Sequence, residues 1–67
     1  MIAITLNGEA RQLAAQTTVA QLLQSLGYAG KRVAVEKNGA IVPKSQHAEV
    51  SVAAGDRLEI VVAVGGG

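Results

Sequence analysis

The chain lacks cysteine, tryptophan and phenylalanine, and its single aromatic residue is Tyr28. Without cysteine, no disulfide can stabilise a fold of only 67 residues, and one histidine alone cannot form a metal-binding cluster. Stability must therefore come from packing and hydrogen bonds. The hydrophobic share of 49%, mostly aliphatic, suits one small core that leaves no room for a large catalytic cleft.

The chain also has little net charge, because its six Lys and Arg residues are nearly balanced by five Asp and Glu residues. The basic residues are scattered, and Tyr28 alone cannot form a stacking platform, so nucleic acid is not an expected partner. No apolar run approaches the roughly 20 residues that span a bilayer, and the N-terminus lacks the pattern of a secretory signal. We therefore expect a cytoplasmic protein that does not enter the membrane.

The first elements are predicted by local patterns. Apolar residues alternate over residues 2–6, which predicts a strand, and Asn7-Gly8 is typical of a type I′ turn. Residues 9–14 should return as the second strand of a hairpin.

A helix is predicted over residues 19–26, where apolar residues recur at i, i+3, i+4 and i+7. Thr18 and Gln21 match a capping box at its start, and Gly27 is suited to the left-handed conformation that ends helices. The helix has only about two turns, so packing against a sheet must hold it.

Further strands follow the helix. Residues 33–35 begin a third strand, Asn38-Gly39 predicts another tight turn, and residues 41–42 form a short fourth strand closed by Pro43. For residues 44–52 two interpretations remain, in which Val50 and Val52 are either a brief strand or two anchors of an irregular crossing.

The last strand is the most apolar, and it should lie centrally in the sheet. Residues at 58, 60, 62 and 64 point inward, whereas Val61 and Ala63 face outward beside Glu59. Because the connection through the helix is long, this strand can run parallel to the first with a right-handed crossover.

Together these elements predict an α+β fold of the β-grasp (ubiquitin-like) type, a mixed sheet of four to five strands with one helix packed on one face. Residues 1–64 form the domain, and residues 65–67 form a flexible C-terminal glycine tail.

The folded part offers no catalytic or metal-binding set. His47 has no second histidine or nucleophile motif, so it is expected to be a surface loop residue. The acidic residues are expected to be solvated surface charges. They are Glu9, Glu36, Glu49, Asp56 and Glu59.

The tail is the candidate functional site. Gly65, Gly66 and Gly67 carry no side chains, so they can extend up to ~10 Å and thread a narrow channel of a partner. We expect the chain to end in a free carboxylate at Gly67. Adenylation would give that carboxylate a good leaving group, and a sulfur nucleophile could then produce a thiocarboxylate. Val61 and Ala63, apolar and outward beside the tail, are candidates for partner docking.

The chain resembles the ThiS family, the sulfur carriers of thiamine thiazole biosynthesis, over its whole length. The resemblance rests on residues 33–43, residues 55–61 and the terminal glycines. It implies adenylation of Gly67 by an E1-like (ThiF-type) enzyme, which uses ATP while the carrier binds no cofactor. A persulfide protein would supply sulfur, and a thiazole synthase (ThiG-type) would accept it. Gly66 is the required neighbour, and Gly65 lengthens the tail.

The chain would then be a protein co-substrate rather than an enzyme. Two alternatives remain open at this point. One is a carrier for another sulfur pathway, such as the small subunit of molybdopterin synthase, which shares the fold and the diglycine end. The other is a non-catalytic β-grasp binding module.

Overall fold

The protein folds as a five-stranded mixed sheet with one helix packed against one face, and a computed structural model describes its residues 1–63. The predicted α+β fold of the β-grasp type is confirmed. The elements in chain order are β1 (Ile2–Leu6), β2 (Glu9–Leu13), α1 (Val19–Ser25), β3 (Val33–Lys37), β4 (Ala40–Ile41), a 3₁₀ turn (Lys44–Gln46) and β5 (Arg57–Val62).

The strand order is β2-β1-β5-β3-β4, so β5 occupies the centre of the sheet as predicted. It runs parallel to β1 and antiparallel to β3. Pairing with β1 is confined to the start of β5, whereas β3 follows β5 along five residue pairs, from Lys37 opposite Leu58 to Val33 opposite Val62. The strand that precedes the tail is therefore positioned mainly by β3.

Both predicted Asn-Gly turns are confirmed. Asn7 and Gly8 have φ angles of 49° and 82°, and Asn38 and Gly39 have 54° and 86°. A type I′ turn requires positive φ at both central positions, and asparagine and glycine tolerate that conformation best. These two turns fix the register of the hairpins β1–β2 and β3–β4.

The helix begins as predicted and ends one residue early. Thr18 Oγ1 accepts from the Gln21 backbone N–H at 3.1 Å, and Gln21 Oε1 accepts from the Thr18 N–H at 2.9 Å. Leu26, predicted as the last helical residue, is the C-cap, and Gly27 follows with φ 80°. Residues 1–63 contain no helix with the length and hydrophobicity of a membrane span.

The core lies between α1 and the inner face of the sheet. Val19 and Leu22 of the helix are almost fully buried, and so are Val35 of β3 and Leu58 of β5. At roughly 1.5–3 kcal/mol for each large apolar side chain removed from water, this layer is the main source of stability. The buried apolar residues are Ile4, Leu6, Val19, Leu22, Leu23, Val35, Val42, Val52, Leu58 and Ile60.

Residues 44–52 form an irregular crossing rather than a regular strand. Val52 is buried and Val50 is half-buried, and a single bridge joins Ser51 to Thr18. The Val52 N–H donates to the Thr17 carbonyl at 2.8 Å, and the Val50 carbonyl accepts from the Val19 N–H at 2.9 Å. The second interpretation of this segment is therefore the closer one, with both valines as anchors.

The short fourth strand is displaced by one residue from its prediction over residues 41–42. It spans Ala40–Ile41, and Val42 turns inward, where its N–H donates to the Val35 carbonyl at 2.8 Å. The second strand likewise ends at Leu13 rather than at residue 14. Both differences are of the size expected for element ends.

The prediction that His47 lies in a surface loop is wrong. Its side chain is buried, with Nε2 3.1 Å from the Val42 carbonyl oxygen. A carbonyl only accepts hydrogen bonds, so Nε2 carries the hydrogen. The His47 carbonyl accepts from the Ala20 N–H at 2.8 Å in the first turn of α1. The 3₁₀ turn after Pro43 thus brings this histidine beneath the helix, where it joins the helix to the end of β4.

The prediction of a solvated charge is also wrong for Asp56, which is only 9% exposed. Its Oδ2 accepts from the Ala53 N–H at 2.8 Å, its Oδ1 accepts from Asn38 Nδ2 at 3.0 Å, and Lys37 Nζ lies 3.8 Å away. Burial alone would raise the pKa of Asp56. The two hydrogen bonds and the lysine charge outweigh burial and hold the pKa below its usual value.

Candidate functional site

The predicted tail, Gly65, Gly66 and Gly67, lies outside the described residues, as does Val64. The structure therefore describes the site from its base, where β5 ends. Val61 lies opposite Ala34, Val62 opposite Val33, and the Ala63 N–H donates to the Arg32 carbonyl at 2.8 Å. Backbone hydrogen bonds to β3 and to the residue before it hold the chain as far as Ala63.

The two residues predicted to face outward do so. Val61 is 64% exposed, and Ala63 is exposed as well. Residues directly opposite each other on neighbouring antiparallel strands share a face, so exposed Ala34 lies beside Val61. Ile41 of β4, which is 66% exposed, projects from the same face because it lies opposite Glu36. We call Ala34, Ile41, Val61 and Ala63 the outer-face patch.

Two carboxylates lie within this face. Glu59 of β5 is directly opposite Glu36 of β3, and Glu36 is in turn opposite Ile41. Like charges at directly opposed positions of a sheet are unfavourable, typically by a few tenths of a kcal/mol to ~1 kcal/mol. On this outer face, Val61 and Ala34 therefore lie near the end of β5, whereas Ile41 lies beside the carboxylate pair, further from that end.

Sequence patterns reveal only half of this arrangement. Alternation along each strand shows that Glu36 and Glu59 point outward, but their opposition depends on a register that joins strands 23 positions apart. The exposure of Ile41 was missed for a similar reason, since its strand is only two residues long. A hairpin register counted outward from Asn38-Gly39 would have placed Ile41 opposite Glu36.

The inner face of β5 supplies a rigid base for these residues. Leu58 is fully buried and Ile60 is 5% exposed. In addition, the Asn7 side chain bonds both backbone groups of Ile60. The residues of β5 that precede Val61 are thus fixed by packing on the inner face of the sheet and by hydrogen bonds from Asn7 on one side and β3 on the other.

No metal site accompanies this surface in the described part of the chain. Among residues 1–63, no three His, Asp or Glu side chains lie close enough together to hold a metal ion. The described residues can therefore position the tail for chemistry carried out by a partner. A stable sheet holds the residues that precede the tail next to a surface that is partly apolar and partly acidic.

A family model for the ThiS family matches residues 4–67. This range covers nearly all of the chain and includes the three terminal glycines. The chain belongs to the ThiS family. The resemblance seen in the sequence is thereby confirmed.

Solved structures agree with this membership. The crystal structure of a thiamine biosynthesis protein (ThiS) from Geobacter metallireducens superimposes with a TM-score of 0.84 at 30% identity, covering 98% of this chain and 100% of that one. A solution NMR structure of a thiamine biosynthesis protein from the same organism gives a TM-score of 0.81 at 30% identity, covering 98% and 88%.

Curated relatives of this ThiS-family chain are longer proteins. A thiazole synthase of Paramagnetospirillum magneticum (strain ATCC 700264 / AMB-1) is 52% identical over 64 residues, which is 96% of this chain. A thiazole synthase of Magnetococcus marinus (strain ATCC BAA-1437 / JCM 17883 / MC-1) is 42% identical over 64 residues, again 96% of this chain. The chain spans 20% of the length of each of these curated relatives.

Proposed function

We propose that this ThiS-family chain is the sulfur carrier of thiamine thiazole biosynthesis, with the carboxylate of Gly67 as the group that carries sulfur. The observation on which the proposal rests is the family match over residues 4–67, since it extends through the glycines. Residues 1–64 act as the domain that partners recognise, and residues 65–67 act as the tail that enters their active sites.

The proposed chemistry has three steps. A carboxylate oxygen of Gly67 attacks the α-phosphorus of ATP, and pyrophosphate leaves to give an acyl adenylate. The terminal sulfur of a persulfide then attacks the acyl carbon and displaces AMP. The new bond joins carbon to sulfur, and a thiol finally cleaves the sulfur–sulfur bond that came from the persulfide, so that the thiocarboxylate stays on Gly67 and the donor protein leaves as a mixed disulfide with that thiol. The chain itself is a co-substrate in all three steps, and ATP is held by the activating enzyme.

Three partners are required by this scheme. An E1-like adenylating enzyme of the ThiF type activates Gly67, a persulfide protein supplies sulfur, and a thiazole synthase of the ThiG type accepts it. The last partner is supported by the two thiazole synthases in which a segment resembling this chain makes up a fifth of the length. We assign the reaction to the cytoplasm, because its persulfide and thiol steps need a compartment that keeps thiols reduced.

The outer-face patch is proposed as the surface that docks the adenylating enzyme. It borders the hydrogen bond between the Ala63 N–H and the Arg32 carbonyl, at the end of the described residues, so a partner bound there is placed next to the tail. Burying exposed Val61 and Ile41 would contribute hydrophobic free energy. A basic group on the partner would relieve the repulsion between Glu36 and Glu59. We therefore expect the partner surface to be apolar with a basic side chain at that position.

Intact mass measurement tests the carrier function directly. The purified chain is incubated with ATP, a persulfide source, a thiol and the adenylating enzyme, and its mass should rise by the difference between sulfur and oxygen. Fragmentation should place the change on Gly67. Deletion of Gly66 and Gly67 should abolish the mass change while circular dichroism remains that of the folded chain. An unmodified chain beside an adenylating enzyme that is active on its own carrier would refute the proposal.

A further inference from the structure

A cavity of about 300 Å³ opens on the helix side of the sheet, on the opposite face from the outer-face patch. It lies between α1, the connection that follows the helix, and the 3₁₀ turn with its following residues. Apolar side chains of Leu23, Tyr28 and Val33 form part of its wall, and its polar lining consists of Lys31, Lys44 and His47. Neither the carrier chemistry nor the docking surface uses this cavity.

The size and lining of the cavity suit a small molecule. Pockets for small ligands usually measure about 300–1,000 Å³ and combine apolar walls with a few polar groups that orient the ligand. This cavity lies at the small end of that range. One wall is rigid, because the buried His47 ring is held by the Val42 carbonyl at 3.1 Å and Leu23 belongs to the core.

The charge of the cavity is of one sign. None of the described residues that line it is acidic. The ion pairs found among residues 1–63 are Arg11–Glu9 and Lys37–Asp56, so neither Lys31 nor Lys44 is paired with a carboxylate of the described chain. Two lysines thus line one largely apolar cavity in a chain whose net charge is only +1.

We propose that this cavity binds a small phosphomonoester that carries an apolar or aromatic body. A phosphomonoester carries a charge of about −1.5 to −2 at pH 7. This charge balances the two positive charges of the lysines better than a ligand with one carboxylate would. Lysine ammonium groups bind phosphate as point charges, and an aromatic wall such as Tyr28 favours a flat apolar body. The phosphate lies between Lys31 and Lys44, and the body contacts Leu23 and Tyr28.

This site is independent of the proposed carrier function. It lies on the face of the sheet that carries α1, whereas the outer-face patch lies on the other face, so a ligand and a docked partner can be bound at the same time. Failure of the ligand to bind would leave the reaction at Gly67 untouched, and the reverse also holds.

Titration of the uniformly ¹⁵N-labelled chain with phenyl phosphate at constant ionic strength tests the proposal. Amide signals of residues 28–31 and 44–48 should shift and saturate with a single dissociation constant. Inorganic phosphate, which lacks the body, and benzyl alcohol, which lacks the charge, should each bind at least tenfold more weakly. Benzoate, with one charge, should bind between these extremes.

Matched double variants separate the site from general electrostatics. Lys31→Gln with Lys44→Gln should weaken phenyl phosphate binding at least tenfold, whereas Arg11→Gln with Arg57→Gln removes the same charge elsewhere and should change it less than twofold. All four side chains belong to exposed residues, so both variants should fold. Absence of saturable shifts at the cavity, or equal weakening by both double variants, would overturn the proposal.

Discussion

The side chain of Asn7 bonds both backbone groups of Ile60, 53 positions away. Its Oδ1 accepts from the Ile60 N–H at 2.8 Å, and its Nδ2 donates to the Ile60 carbonyl at 3.1 Å. The Asn7 N–H also donates to the Leu58 carbonyl at 2.9 Å. The side-chain amide of Asn7 thus extends the parallel pairing of β1 with β5 into the turn that follows β1, where the backbone of β1 has ended.

Replacement of Asn7 by glycine should therefore destabilise the protein although glycine suits the turn better. The variant keeps the positive φ of 49° without strain but leaves both Ile60 groups without their partner. We expect the free energy of unfolding to fall by about 1–3 kcal/mol, measured by urea denaturation with far-ultraviolet circular dichroism.

Gln16 provides a matched control for this prediction. It is an exposed residue of the connection between β2 and α1, and its φ is also positive, at 66°. Gln16→Gly relieves the same backbone strain without removing contacts to a central strand, so it should leave stability unchanged or slightly higher. If Asn7→Gly were as stable as Gln16→Gly, the side-chain amide of Asn7 would not contribute to stability.

A second prediction concerns acid. Because the pKa of Asp56 is lowered in the folded chain, its carboxylate contributes stability that is complete above the unfolded-state value of about 3.9 and is lost as pH falls through the folded value. Asp56→Asn should lower the free energy of unfolding at pH 7 by about 1–3 kcal/mol, because hydrogen bonds to the charged oxygens are lost.

The same substitution should flatten the acid dependence of stability below pH about 5, since the variant has no proton to take up at this position. Urea midpoints measured at intervals from pH 7 down to about pH 2 check this. An equally steep fall in the wild type and in Asp56→Asn would show that other carboxylates cause the acid sensitivity.

A comparison of the predicted and observed environments of Asn7, His47 and Asp56 shows which features can be predicted from a sequence. The Asn-Gly turns, the capping box and the strand periods are local signals, because the residues that cause them lie within four positions of each other. The burial of Asp56 depends on Asn38, 18 positions away, and that of His47 depends on an irregular crossing with no period. The role of the glycine tail was predicted from the sequence and stays a prediction, whereas the opposition of Glu36 and Glu59 required the register of a folded sheet.

His47 gives a third prediction. His47→Ala removes the donor that bonds the Val42 carbonyl and leaves a space beneath α1, so the free energy of unfolding should fall by about 1–3 kcal/mol. Gln46→Ala, one residue away and exposed, should stay within about 0.5 kcal/mol of the wild type. Urea denaturation of the two variants at pH 7 checks the difference. Equal stability of both would mean that the histidine bond does not stabilise the crossing.

The last prediction tests the outer-face patch by adding a third carboxylate to it. Val61→Glu places a negative charge beside the pair formed by Glu36 and Glu59, at a position that is 64% exposed, so the chain should still fold. Under the proposed function, docking of the adenylating enzyme should weaken, because the apolar contact is lost and a charge must be desolvated. In an assay of ATP-dependent pyrophosphate release, we expect KM for the chain to rise about tenfold or more, with kcat nearly unchanged, since Gly67 itself is intact.

Gln12→Glu provides the control, because it adds the same charge on exposed β2 and should leave KM within twofold. A Val61→Glu chain that is adenylated with the wild-type KM would remove the outer-face patch as the docking surface and leave the carrier function to the tail alone.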